Sequence, residues 1–287
     1  MQPYSHLSLG PGGFHRLAYT EWGSSDNPHL VVCMHGLTRN GRDFDFLAGR
    51  LAASCRVLCP DAAGRGRSDW LPAPEQYAYP QYLADAAALI ARATAPHTAA
   101  PETVRLDWVG TSMGGLIGLM LAAATGSPLR RLVLNDVGPQ LPAAALNRLG
   151  TYVGRDPGFD TLAGFEAHLR AVHAPFGPLT AAQWQHLARH GHRVDRGRYR
   201  PAYDPAIGHA FAQPMREDVD LWALWQRVQI PVLVLRGAES DLLTSGTLAR
   251  MQAEKPDLQV AEFDRVGHAP ALMDAAQTGV VEEFIRD

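Results

Sequence analysis

Residues 104–124 read VRLDWVGTSMGGLIGLMLAAA. An apolar run ends at Val109, five residues Gly110-Thr111-Ser112-Met113-Gly114 follow, and a stretch of small and apolar residues continues with helical spacing. This is the G-x-S-x-G pattern in the setting it requires, a strand that turns sharply into a helix. A serine at the tip of such a turn is forced into a strained backbone conformation, and the residues two places on either side crowd together. Glycine at 110 and 114 removes the clash. Ser112 Oγ can then stand above the carboxyl edge of a sheet, beside the partial positive charge of a helix N-terminus. Gly115 and Gly118 read as packing glycines.

Outward from this turn, strands and helices alternate. Residues 5–9 and 14–22 alternate in polarity like two antiparallel strands around Gly10-Pro11-Gly12-Gly13. Residues 29–34 (HLVVCM) and 56–59 are continuous apolar runs, as in strands covered on both faces. Helical patterns occupy 44–53 and 79–95, with a polar break at 96–101. Residues 131–136 (RLVLND) form a further strand. From 139 to about 227 the periodicity becomes helical, over 143–153, 161–172, 181–189 and 219–226. Strand–helix alternation then resumes with 231–235 (PVLVL), 243–254, 258–263 and 273–286. The expected fold is therefore α/β, a mostly parallel eight-stranded sheet with helices on both faces. Residues 1–138 and 228–287 form its core, and 139–227, roughly ninety residues and far longer than a loop, form an inserted helical cap.

Composition excludes several classes. The chain has 287 residues, 46% of them hydrophobic, enough for a large core. Its net charge is −3, and its 26 basic residues are scattered, which argues against a nucleic-acid partner. No apolar run approaches the roughly eighteen residues of a membrane span, and residues 1–6 lack the pattern of a signal peptide. Cys33, Cys55 and Cys59 form an odd, unpatterned set of buried thiols, so the expected location is the reducing cytoplasm. A homo-oligomer is compatible with these features. His186, His190 and His192 have helical spacing but no accompanying glutamate or cysteine pair. They read as solvent-facing residues, and neither a metal nor an organic cofactor is expected.

A serine hydroxyl needs a base, and the base needs a group to orient it. His268 follows the strand at 258–263 at the same sheet edge and comes last in the order Ser, Asp, His, which marks it as the base. Asp136, at the end of 131–136, and Asp241, just after 231–235, both satisfy the order for the acid. Glu239 is a third candidate. The oxyanion donors expected are the backbone N–H groups of Met113 and of Leu37, the latter in the loop His35-Gly36-Leu37-Thr38. His35 itself reads as a holder of that loop. Arg39 reads as an ion-pair partner of Asp43 or Asp45, or as a contact for a substrate carboxylate. His35, Arg39, Asp136 and the cap residue Trp184 are the candidate substrate contacts, Trp184 standing for a cap rich in aromatics that would shape an apolar pocket.

His35-Gly36, the loop at 61–68, the 110–115 turn, the run from Gly237 to Asp241, and Gly267-His268 together resemble the α/β-hydrolase superfamily, specifically its capped serine hydrolases, over nearly the whole chain. The resemblance implies that the acid usually follows the strand at 231–235, which favours Asp241, although some members use the strand at 131–136. It also implies a structural role for the loop at 61–68. Serine at 112 departs from the haloalkane dehalogenases and epoxide hydrolases, which carry aspartate there. Ala269-Pro270 departs from the carbon–carbon bond hydrolases, which carry tryptophan after the base histidine, and Leu37-Thr38 does not favour the cofactor-free haloperoxidases. The expected activity is hydrolysis of a small carboxylic ester with a hydrophobic acyl or alcohol part, through an acyl-enzyme on Ser112. The alternatives are lactone or carbon–carbon cleavage, acyl transfer, or a ligand-binding protein with an idle serine.

Overall fold

The computed structural model of the chain describes residues 1–97, 100 and 103–286. Half of the polar break expected at 96–101, residues 98, 99 and 101, falls outside the described residues. The chain opens with β1 (Gln2–Gly10) and β2 (Gly13–Trp22), an antiparallel hairpin. Then come β3 (His29–Met34), α1 (Asp45–Leu51), β4 (Arg56–Pro60), α2 (Tyr79–Thr94), β5 (Arg105–Thr111), α3 (Met113–Ala122) and β6 (Leu129–Asn135).

An insert follows, made of β7 (Gln140–Leu141), α4 (Ala143–Gly150), α5 (Leu162–Val172), α6 (Ala181–His190), β8 (His192–Asp195), β9 (Arg198–Pro201), β10 (Val219–Asp220) and α7 (Trp222–Trp225). The chain closes with β11 (Val232–Gly237), α8 (Ser245–Glu254), β12 (Gln259–Phe263) and α9 (Ala275–Arg286).

Eight strands make one sheet in the order β1-β2-β4-β3-β5-β6-β11-β12. The β1/β2 and β2/β4 pairings are antiparallel, and every pairing from β4 to β12 is parallel. The apolar strands have the reason expected for them: alternate residues enter separate cores. Leu30, Val32 and Met34 of β3 join Trp108, Leu132 and Val234 under α2 and α3. Val31 and Cys33 join Val109, Val133 and Leu235 under α1 and α9. All three cysteines are buried free thiols.

The insert contains strands that the sequence did not suggest. β7 and β10 form a two-residue antiparallel ladder at its base, and β8 and β9 form a hairpin. These strands are short and, in the hairpin, rich in arginine, so they carry no apolar alternation to be read. The insert sits on the carboxyl side of the sheet, tied down by backbone and side chain. Asn40 Nδ2 donates to His190 O at 2.9 Å, Gly267 N to Pro175 O at 2.7 Å, and Gly66 N to Ala202 O at 2.8 Å. No helix among the described residues is long and apolar enough to cross a membrane.

Candidate active site

Ser112 lies between β5 and α3 with φ 52° and ψ −115°, the strained turn expected of a serine at this position. The steric argument for its neighbours is quantitative. A Cβ at Gly110 would fall 2.2 Å from Gly114 O, and one at Gly114 would fall 2.0 Å from Met34 O. Trp108 Nε1 donates to Gly114 O at 2.8 Å and pins the first turn of α3 from below. Ser112 N donates to Asn135 O at 3.0 Å.

His268, in the loop between β12 and α9, reaches this serine. Its Nε2 lies 2.9 Å from Ser112 Oγ, and its Nδ1 lies 2.7 Å from Asp136 Oδ2. Asp136 follows β6, is fully buried, and has φ 57°, a left-handed conformation that aspartate tolerates. Its Oδ1 accepts from Gly237 N at 2.8 Å, while Oδ2 also accepts from Ser240 Oγ at 2.5 Å. An acceptor-only carboxylate against Nδ1 places the imidazole proton on Nδ1 and leaves Nε2 free to accept from the serine hydroxyl.

The preference for Asp241 over Asp136 is thus corrected. Asp241 does not touch His268. Its side chain is 46% exposed and forms a bidentate pair with Arg148 of α4, at 2.5 and 2.8 Å. Partial burial would raise its carboxyl, but hydrogen bonding and charge from Arg148 outweigh that and hold it below the ordinary value. Glu239 is likewise absent from the relay.

Beside this relay His35 holds the loop 35–38, the role the sequence suggested for it. Both ring nitrogens of His35 serve the backbone: Nε2 accepts from Ala62 N at 2.9 Å, and Nδ1 donates to Gly36 O at 2.7 Å. Burial lowers its imidazole to about 4, so it is neutral. Although it lines the cavity, it has no polar atom left for a substrate, which removes it from the substrate contacts.

Trp184 is also removed. It packs with Phe165, Leu169 and Leu187 of the insert and with Met273 before α9, and it does not line the cavity over Ser112. Arg39 forms the expected pair with Asp43, at 2.8 and 2.7 Å, and lines the cavity. Asp45 instead pairs with Arg42.

Two positions escaped the sequence. Arg65, in the loop read as structural, is completely buried. It donates to Leu37 O at 2.9 Å, to Ala63 O at 2.7 Å and to Tyr82 Oη at 2.8 Å, and Nη2 lies 3.6 Å from Met113 Sδ. One guanidinium therefore touches both residues expected to supply oxyanion donors. Asn135 Nδ2 donates to Thr111 Oγ1 at 2.9 Å and to Pro270 O at 2.8 Å, tying the serine turn to the histidine loop. No sequence pattern marks either position, because all their partners but Ala63 come from distant segments.

Asp45, His186 and His190 lie within 4.8 Å of one another, as metal ligands could. However, Arg42 already provides the cation there. It pairs with Asp45, its Nη1 lies 3.2 Å from His190 Nδ1, and its carbonyl takes His186 Nε2 at 2.9 Å. These two histidines sit at the junction with residues 42–45 rather than facing solvent as expected. Burial, with Arg42 next, lowers His190 to about 4.

The cavity over Ser112 is lined by core residues such as Leu37 and His268 and by insert residues such as Leu149, Tyr152 and His173. Residues 31–283 match the alpha/beta hydrolase family. The chain belongs to that family. As an α/β hydrolase it is 42% identical, over 96% of its length and 94% of the other's, to the 3-hydroxybutyrate-oligomer hydrolase of Cupriavidus necator. An alpha/beta hydrolase from Novosphingobium aromaticivorans superposes with a TM-score of 0.84 at 34% identity, covering 99% of this chain and 98% of that one. E-2-(acetamidomethylene)succinate hydrolase superposes at 0.82 with 26% identity, with both chains fully covered. This α/β hydrolase is accordingly an enzyme that hydrolyses its substrate.

Proposed function

We propose that the enzyme is a serine esterase in which Ser112, His268 and Asp136 form the catalytic relay and residues 139–227 act as the cap. The observation that carries the reading is the continuous contact from Ser112 Oγ through His268 to Asp136, at 2.9 and 2.7 Å. His268 Nε2 takes the hydroxyl proton as Ser112 Oγ attacks the ester carbonyl carbon. The carbonyl electrons move to oxygen, and the backbone N–H groups of Met113 and Leu37 donate hydrogen bonds to the oxyanion so formed. Each donor of this kind contributes about 3 kcal/mol in the transition state. The His268 imidazolium is steadied by Asp136, which remains ionised. Collapse breaks the ester C–O bond, and the departing alcohol takes the proton from Nε2. The acyl-enzyme on Ser112 is then attacked by water through the same base, releasing the acid.

Substrate class follows from the cavity and from the relative. The wall above Ser112 includes Leu37, Leu149, Val172, Pro175, Phe176 and Leu187, which suits a short apolar acyl or alcohol group. The similarity to a 3-hydroxybutyrate-oligomer hydrolase directs the choice, within esters, to short linear oligoesters of hydroxy acids. The test is two-part. A fluorophosphonate should label the wild type and leave Ser112→Ala unlabelled. Hydrolysis should then be compared across p-nitrophenyl esters of increasing chain length, 3-hydroxybutyrate oligomers, lactones and a dienone carbon–carbon substrate. Labelling that persists in Ser112→Ala, or turnover of the dienone alone, would overturn the esterase reading.

A further inference from the structure

The cavity over Ser112 does not end at the catalytic residues. A second, larger cavity lies between the insert and the loop after β3, lined by Arg155, Asp156, His168 and Tyr203 among others. The two share Thr38, Arg39, Tyr152, Val172 and His173. The inner one measures about 60 Å³ and the outer about 470 Å³, the latter in the range of small-molecule sites. The common wall forms a waist between them.

The waist is polar where a packed cap would be apolar. His173 is 92% buried by its 8% exposure, and its ring nitrogens hydrogen-bond to nothing among the described residues. Neither nitrogen is among the buried atoms sealed in the packing without a partner, and the residue lines both cavities. The imidazole therefore presents its nitrogens to the open space. Its ring is held by stacking on Phe176 at 4.7 Å and edge-on to Tyr152 at 6.4 Å. Burial lowers it well below the ordinary histidine value, with the charge of Arg39 adding to the effect, so it is a neutral donor and acceptor.

Arg39, only 6% exposed, spends Nε and Nη2 on Asp43. Its Nη1 lies toward Gly191, a residue of the outer cavity. At the far end Arg155 is exposed, whereas Oδ2 of the neighbouring Asp156 is taken by Arg193 and Arg200 and its Oδ1 is buried. A neutral imidazole and a spare guanidinium edge at the waist, with a guanidinium beyond that is unpaired among the described residues, form a path for a polar chain that ends in an anion.

We infer that the outer cavity is a binding site for the carboxylate-bearing end of a linear hydroxy-acid oligoester whose ester group lies at Ser112, with His173 and Arg39 contacting the chain at the waist and Arg155 holding the terminal carboxylate. The inference rests on the esterase reading and extends it. In such an oligoester the carboxylate end belongs to the alcohol side of the ester. The outer cavity therefore holds the leaving group, and the inner cavity holds the acyl group transferred to Ser112. The carboxylate end selects oligomers over neutral esters, and it does so by binding.

The probes are 3-hydroxybutyrate trimer and its terminal methyl ester, which differ only in the carboxylate. The wild type should hydrolyse the free acid with kcat/KM at least ~10-fold above the methyl ester, mostly through KM, as expected for a charge-assisted contact. Arg155→Gln should bring the two within about twofold of each other, and Arg155→Lys should restore part of the difference. Arg189→Gln, an exposed arginine on the same insert, should leave the ratio as it is. His173→Asn should lower kcat/KM for the trimer more than for p-nitrophenyl butyrate, which does not span the waist. Equal rates for free acid and methyl ester in the wild type, or a ratio unmoved by Arg155→Gln, would overturn the outer site while leaving ester hydrolysis intact. Failure to hydrolyse any ester would instead remove the esterase reading itself.

Discussion

Replacing Asp136 by asparagine tests the relay most directly. The carboxylate receives three donors: Gly237 N on Oδ1, and Ser240 Oγ and His268 Nδ1 on Oδ2. Asparagine offers one acceptor oxygen and one amide group. With its oxygen facing Gly237 N, its NH₂ opposes Nδ1–H, and the imidazole must move its proton to Nε2 to accept. Nε2–H then faces Ser112 Oγ and cannot take the hydroxyl proton. With the amide flipped, the NH₂ opposes the N–H of Gly237, a buried donor facing a donor, at a cost of about 1–3 kcal/mol.

The first arrangement is the cheaper, and it is the one that fixes the wrong tautomer. Loss of that tautomer lowers kcat by about 10⁴, or roughly 5.5 kcal/mol of transition-state stabilisation. Asp241→Asn removes a half-exposed pair with Arg148, and a change below about threefold is expected. The assay is steady-state hydrolysis of a p-nitrophenyl ester by both variants, with thermal unfolding to show that each is folded. An Asp136→Asn enzyme within tenfold of wild type, or an inactive, folded Asp241→Asn enzyme, would refute the assignment.

Two further outcomes follow from buried groups. His35 has an imidazole near 4 in the fold against 6.5 as its reference, so between these values the unfolded chain holds a proton that the folded one lacks. Its contribution to stability is complete above 6.5 and declines as pH falls toward 4. The loss is about 2 kcal/mol by pH 5 and about 3 kcal/mol in full. Urea unfolding at pH 7.5 and 5 should show a steeper loss in the wild type than in His35→Gln, and parallel losses would count against it. Arg65→Lys keeps the charge but cannot reach Leu37 O, Tyr82 Oη and Met113 Sδ together. It should lower kcat by about 10- to 100-fold with little change in KM, which a lost binding contact would not do. A rise in KM at constant kcat would assign Arg65 to substrate binding instead.

The sequence alone determined the sheet and the serine turn. Continuous apolar runs such as 29–34 can be satisfied only by a strand with a core on each face, and the glycine at 110 answers a clash with residues 114 and 115, within a few residues of itself. Those constraints are local or periodic, so they are written in neighbouring letters. The acid was not written that way. Asp136 and Asp241 both follow parallel strands at the same edge, and what separates them is Arg148, 93 residues before Asp241, which occupies one carboxylate and leaves the other for His268. The same holds for Arg65 beneath Leu37 and Met113, for the backbone bonds that consume His35, and for the burial that takes Trp184 out of the cavity. Each is decided by which side chains from distant segments meet after the insert closes on the sheet. Hydrogen bonds and ion pairs at such meetings depend on ångström placement, and residue order carries no record of it.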